Sequence, residues 1–157
     1  MREVWLVDGY NLWHGLRGGP LRARTREELF EKLAGYAATA HLSMVVVLDG
    51  AGPDDEWKRF KTDALKVVQS GDVSADAYIE RTLSRDKTTA AFVVVTSDRA
   101  ITLMALGSGA RVINVAEFCR MLGEQTKNTD EKLFRQNTKS RQFNRPFDEK
   151  LKDKDEH

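Results

Sequence analysis

Short apolar runs that each lead to an aspartate constrain the fold of this chain more than any other feature. The three runs and their acids are residues 4–7 with Asp8, residues 44–48 with Asp49, and residues 92–95 with Asp98. None of the runs alternates polar with apolar residues, which is typical of strands buried on both faces. Such strands belong mostly to parallel sheets covered by helices.

Helical patterns separate these strands. They fall at residues 25–40, 54–65, 74–84, 98–106 and 115–125, and weaker strand patterns occur at 67–68 and 111–113. Strands that alternate with helices through short connections predict right-handed crossovers and a parallel sheet. We therefore predict an α/β fold with three layers, α/β/α, around a central and mostly parallel sheet.

The last part of the chain differs in composition from the rest. Residues 126–157 are polar and partly basic, with five cations and no acid between Lys132 and Arg145. We predict a globular domain at residues 1–125 followed by a C-terminal tail at 126–157, either mobile or an isolated helix. A basic tail can order on RNA or on a ribosomal surface, but it can equally be a merely solvated segment.

Composition narrows the cellular setting. The net charge of +1 gives no overall pull toward nucleic acid or membrane, so any binding field must come from local clusters. A single cysteine, Cys119, excludes a disulfide within the chain and suits a reducing compartment. Since no apolar stretch approaches the roughly 20 residues that span a bilayer, we expect a cytoplasmic protein without a membrane partner.

The aspartates predict a metal site. The carboxyl ends of neighbouring parallel strands meet at one edge of the sheet, so Asp8, Asp49 and Asp98 should lie together there. Like charges so placed repel one another unless a cation joins them, and carboxylates suit Mg²⁺ or Mn²⁺. Asp76 and Glu80 are four residues apart, so they share one helical face near the same edge.

Two polar residues could orient this set. Asn11 and Ser97 lie close to the acids in sequence, and an amide or hydroxyl can hold a carboxylate in place. A site of this kind cleaves phosphodiesters by activating water and neutralising charge on the leaving oxygen. Taken singly, each aspartate can equally be a turn or helix-capping residue.

The same residues resemble a known family. Val7-Asp8-Gly9-Tyr10-Asn11 resembles the DGYN motif of NYN domains, a branch of the PIN-like nucleases. The resemblance continues through residues 45–49, 71–80 and 95–98, and covers about residues 3–120 in family order. It points to the YacP-like group, whose characterised bacterial member is a ribosome-associated messenger RNA endonuclease.

The resemblance implies roles as well as a PIN-like fold. It implies an Mg²⁺ or Mn²⁺ site on Asp8, Asp76 and Asp98, with Asn11, Asp49, Glu80 and Ser97 in support as further catalytic residues. Val73 and Ser74 depart from the family, which more often has Glu and Thr there. The expected function is endonucleolytic cleavage of single-stranded RNA, either mRNA alone or mRNA on the ribosome.

Other functions stay open. A catalytically silent RNA- or ribosome-binding module of the same fold is the principal alternative. A phosphatase would need an aspartate nucleophile or a phosphate-binding loop, and neither is marked in the sequence. A structure-specific DNA nuclease would need a further domain to clamp duplex. Oligomeric state cannot be inferred.

Two basic clusters could contact RNA. They comprise Arg17, Arg22 and Arg24 after the first motif, and Lys58, Arg59 and Lys61 after Asp49. Trp57 and Phe60 lie within the second cluster, where aromatic rings could stack on bases. The alternative is that these aromatic residues pack in the core of a helix whose cations form an ordinary solvated face.

Overall fold

Parallel strands form one central sheet in the computed structural model, which describes residues 3–16, 26–50, 60–85 and 91–155. The strands are β1 Glu3–Asp8, β2 Ser43–Leu48, β3 Leu65–Gln69, β4 Ala91–Val95 and β5 Arg111–Ile113. Their order is β3-β2-β1-β4-β5, and every adjacent pair is parallel. The predicted parallel sheet is confirmed.

Helices cover both faces of this sheet. They are α1 Gly9–Leu16, α2 Arg26–Thr39, α3 Ala75–Arg85, α4 Arg99–Gly107 and α5 Val115–Asp155. Successive β1 side chains alternate between faces, so Trp5 packs with α1, α2 and the start of α5, while Leu6 packs with α3 and α4. The predicted three-layer α/β/α architecture is confirmed.

The strand order decides where ligands can bind. From β1 the chain first builds outward to β2 and β3, then returns to the other side of β1 with β4. In open α/β sheets this reversal opens a crevice beyond the carboxyl ends of the central strands. Asp8 is the last residue of β1, and Asp98 follows β4 at this crevice.

Part of one predicted helix is wrong. The helix is predicted at residues 54–65, and the first six of these residues, 54–59, lie outside the described part of the chain. Phe60 is in a turn, and Leu65 begins β3, where it pairs with Met44 of β2. Phe60 stacks on Phe30 with ring centroids 4.9 Å apart. The pairing of Leu65 with β2 and its burial therefore place Leu65 in a strand, where the local pattern predicted a helix.

Helix α1 has no counterpart among the sequence predictions. Its eight residues include two glycines, which are poor helix formers, so local propensity is weak. The helix forms because Leu12 and Leu16, four residues apart, are both buried against the sheet.

Helix α5 continues to Asp155, so the predicted end of this helix at Gln125 is wrong. Its first turns are buried at Phe118 and Leu122. The continuation is rich in Lys, Glu, Arg and Gln, which are strong helix formers. The chain divides into two compact units, Met1–Gly123 and Glu124–His157. In the second, Leu133 and Phe134 are exposed.

No helix in the described ranges combines the length and apolar character that crossing a bilayer requires.

Two glycines should respond to substitution with opposite signs. A Cβ at Gly9 would lie 2.6 Å from Leu48 Cδ2 and 3.0 Å from the Val47 backbone oxygen, whereas one at Gly35 meets nothing within 4 Å. We expect Gly9→Ala to lower the free energy of unfolding by about 1 to 3 kcal/mol. We expect Gly35→Ala, at an exposed position of α2, to raise it by about 0.5 to 1 kcal/mol. Urea unfolding measures both, and a stabilising Gly9→Ala would contradict the tight α1–β2 contact.

Candidate active site

Asp8 is the most buried of the acids at the carboxyl edge of the sheet. Its side chain is only 8% exposed, and its Oδ1 accepts a 3.4 Å hydrogen bond from the backbone N–H of Asn11. Burial first, and then the charges of Asp76, Asp98 and Asp49, raise the pKa of Asp8 from 3.8 to about 6, although the hydrogen bond from Asn11 lowers it. These four aspartates therefore form one electrostatic group, which we call the aspartate cluster.

Asp76 enters the cluster from helix α3. It lies in the first turn of that helix and is exposed. Its pKa is also raised, first by partial desolvation and then by the charges of Asp98 and Asp49. Glu80 lies one turn further along and is exposed. It is not among the charges that raise the pKa of Asp8.

Asp98 enters the cluster from the connection between β4 and α4. Its Oδ1 accepts the N–H of Ile101 at 3.1 Å, so it caps helix α4. Its own N–H donates to Thr96 Oγ1 at 3.1 Å, and Thr96 is 1% exposed. A capping bond on one oxygen fixes the direction of the carboxylate. Thr96 was missed in the sequence because a buried threonine at the end of a strand is usually core.

Asn11 and Ser97 join three elements at the same edge. The N–H of Ser97 donates to Asn11 Oδ1 at 2.7 Å, across 86 residues of sequence. Ser97 Oγ accepts the N–H of Val115, the first residue of α5, at 3.0 Å. These bonds tie α1 and α5 to the connection that carries Asp98. Both side-chain oxygens accept backbone N–H groups, so these bonds hold the connection that carries Asp98 and do not contact its carboxylate.

Asp49 accepts a hydrogen bond from a helix that begins 26 residues further along the chain. It follows β2 and its Oδ1 accepts the N–H of Ala75, the first residue of α3, at 2.9 Å. The same oxygen lies 3.5 Å from Ser70 Oγ. Ser70 was missed because one serine before a glycine turn carries no distinctive pattern.

The cluster fits a divalent cation by its chemistry. All its donors are carboxylate oxygens, which Mg²⁺ and Mn²⁺ prefer. Burial is the main cause of the raised pKa of Asp8, and the charges of Asp76, Asp98 and Asp49 add a repulsion that a cation would relieve. However, within the four described ranges no three acidic, histidine or cysteine side chains form a ready-made metal cage. A cation would therefore have to draw the carboxylates closer together.

Most of the predicted RNA-binding cations lie outside the described residues. These are Arg17, Arg22, Arg24, Lys58 and Arg59. Lys61 is described and exposed, but it precedes β3 and so lies at the amino edge of the sheet, opposite the aspartate cluster. Phe60 and Trp13 pack against the core. For Phe60 this favours the core-packing interpretation over base stacking.

Comparisons with known proteins agree with this architecture. The family model described as "YacP-like NYN domain" matches residues 5–157. The crystal structure of Rae1 (YacP) from Bacillus subtilis is 22% identical, with a TM-score of 0.69, covering 94% of this chain and 89% of that one. Its W164L mutant is 21% identical, with a TM-score of 0.68 and coverages of 87% and 84%. No curated protein matches the chain. The two structures share its fold.

Proposed function

This chain belongs to the family of YacP-like NYN domains, and from that premise we propose that it is a metal-dependent endoribonuclease that cleaves single-stranded RNA. Membership points to a nuclease-type hydrolase that acts on RNA. The observation that carries the finer proposal is the aspartate cluster at the carboxyl edge, with the pKa of buried Asp8 raised to about 6.

In this proposal Asp8, Asp76 and Asp98 hold Mg²⁺ or Mn²⁺. When bound, the cation would supply charge neutralisation at the phosphate and activation of the attacking water. Asn11 and Ser97 fix the loop that carries Asp98, and Asp49 fixes the start of α3. Glu80 is kept as a supporting acid one turn behind Asp76. No protein nucleophile is needed.

The helices at this edge suit an anionic substrate. Both α3 and α4 begin at the carboxyl edge, so the positive ends of their dipoles point toward the aspartate cluster. They partly offset the negative charge that would otherwise repel a phosphodiester.

Messenger RNA as the substrate, and association with the ribosome, follow from the family resemblance and belong to the proposal.

The direct test is cleavage of a labelled single-stranded RNA by the purified full chain with Mn²⁺, Mg²⁺ or EDTA. We expect internal cuts with either metal and none with EDTA. Asp63→Asn is a matched control, since Asp63 is exposed before β3, at the opposite edge of the sheet. Its cleavage should equal that of wild type. Absence of cutting on both free RNA and translating ribosomes would overturn the proposal.

One observation favours a second candidate, a catalytically silent RNA- or ribosome-binding module. It is the lack of a ready-made metal cage within the described ranges. Such a module would bind RNA or ribosomes equally well in EDTA and in Mn²⁺, and would leave the RNA intact. Binding measured in the same samples as cleavage therefore separates the two functions.

A further inference from the structure

A chain of hydrogen bonds links the ends of β2 and β3 to the start of α3. The N–H of Gly50 donates to Ser70 Oγ at 3.1 Å, and Ser70 Oγ donates to Asp49 Oδ1 at 3.5 Å. The same Asp49 oxygen accepts the N–H of Ala75 at 2.9 Å. We call this set the Asp49–Ser70 bridge. Ser70 is 9% exposed, so its hydroxyl is largely shielded from competing water.

The bridge anchors the helix that carries Asp76. The first N–H groups of a helix have no partner inside it, and a carboxylate satisfies them well. Asp49 accepts the first of these N–H groups, from Ala75, the residue directly before Asp76. Because the bond spans 26 residues of sequence, it fixes the start of α3 against the ends of β2 and β3.

A second cap on the same helix is independent of the bridge. Ser74 Oγ accepts the N–H of Ala77 at 3.1 Å, an ordinary N-terminal cap made within α3 itself. The two serines thus stabilise the same helix end by different routes. Of the two serines, Ser70 bonds to Asp49, the residue that accepts the Ala75 N–H, whereas Ser74 bonds within α3.

We propose that Ser70 is a positioning residue of the candidate active site. It holds Asp49 so that Asp49 anchors α3 and keeps the Asp76 carboxylate facing Asp8 and Asp98. In this inference Asp49 positions α3 through the bond of its Oδ1 to the Ala75 N–H, and it is assigned no metal-binding role. This inference rests on the proposed function, because it concerns how well the cluster holds a divalent cation.

Loosening the bridge should weaken metal binding more than it changes chemistry. Without the Ser70 hydroxyl, Asp49 loses one donor and the Gly50 N–H loses its acceptor, so the start of α3 can shift. Groups that orient metal ligands typically contribute 10- to 100-fold in affinity or activity. The carboxylates have to move together to bind a cation. A more mobile Asp76 side chain loses more conformational entropy when it is ordered, so the cation binds more weakly.

The test compares Ser70→Ala with Ser74→Ala in the full chain. Mn²⁺ binding is measured directly from the electron paramagnetic resonance signal of free Mn²⁺, and RNA cleavage is followed across a Mn²⁺ titration. We expect Ser70→Ala to bind Mn²⁺ about tenfold more weakly and to recover near wild-type cleavage at saturating Mn²⁺. Ser74→Ala should bind Mn²⁺ like wild type although it also lowers the denaturation midpoint. Ser70→Thr, which keeps the hydroxyl, should lie close to wild type.

Each outcome is decisive. If Ser70→Ala binds Mn²⁺ as wild type does, or if Ser74→Ala loses as much affinity, the positioning role of Ser70 is wrong while the nuclease proposal stands. If wild type itself neither binds Mn²⁺ nor cuts RNA, the proposed function is wrong, and the positioning role of Ser70, which depends on it, is wrong as well.

Discussion

Asp8→Asn is expected to abolish RNA cleavage and, at the same time, to make the metal-free protein more stable at pH 7.5. Cleavage should fall on the order of 10³-fold, because an uncharged amide binds a divalent cation more weakly than a carboxylate does. The stabilisation of the transition state by that cation is then lost. Stability should rise because wild type carries a buried carboxylate, 8% exposed, beside three other aspartates.

The sign of the stability effect follows from the raised pKa. Folded Asp8 has a pKa of about 6 against an unfolded value of 3.8. The folded state therefore binds the proton more tightly, and stability falls as pH rises from about 4 through 6. With about 1.4 kcal/mol per pKa unit, the ionised group costs up to roughly 3 kcal/mol above pH 7. Some of this gain is lost in Asp8→Asn, because an amide oxygen accepts the Asn11 N–H less strongly than a carboxylate does.

Chemical denaturation in EDTA at pH 4 and at pH 7.5 measures this effect. We expect Asp8→Asn to exceed wild type by about 1 to 3 kcal/mol at pH 7.5 and by little at pH 4, where Asp8 is protonated. Saturating Mn²⁺ should remove the difference, since it stabilises only the protein that binds it. A variant that is less stable than wild type at pH 7.5 would contradict the burial and crowding of Asp8.

The second large effect concerns Asp98, where two substitutions separate charge from structure. Asparagine caps helices as well as aspartate does, whereas alanine does not. Asp98→Asn should therefore keep its bond to Ile101 and its stability, while Asp98→Ala should lose about 1 kcal/mol. Both should lose RNA cleavage on the order of 10³-fold, because each removes a proposed metal ligand.

Cleavage rates and urea unfolding of the two Asp98 variants distinguish a ligand from a cap. If Asp98→Asn cleaves RNA as wild type does and only Asp98→Ala is impaired, Asp98 acts as a helix cap and not as a ligand. That result would support the simple interpretation that acids after strands are capping residues. Asp63→Asn again serves as the control for loss of a surface charge.

The sequence by itself determined the fold class and the edge at which the acids gather. Continuous apolar runs specify strands buried on both faces, and their alternation with helices specifies a parallel sheet, because both follow from local periodicity. Asp8 had to lie at the carboxyl edge once residues 4–7 formed a strand. The strand order then brought β2, β1 and β4 side by side, as the metal-site hypothesis required.

Tertiary structure alone decided what each of these residues contacts. The bond from Ser97 to Asn11 spans 86 residues, and that from Ala75 to Asp49 spans 26. Pairing with Met44 placed Leu65 in a strand where the local pattern predicted a helix, and burial of Leu12 and Leu16 made α1 helical. A sequence pattern reports neighbours within a few residues, whereas these partners meet only when the sheet assembles. For that reason the acids could be predicted from the sequence, but Ser70 and the anchoring role of Asp49 could not.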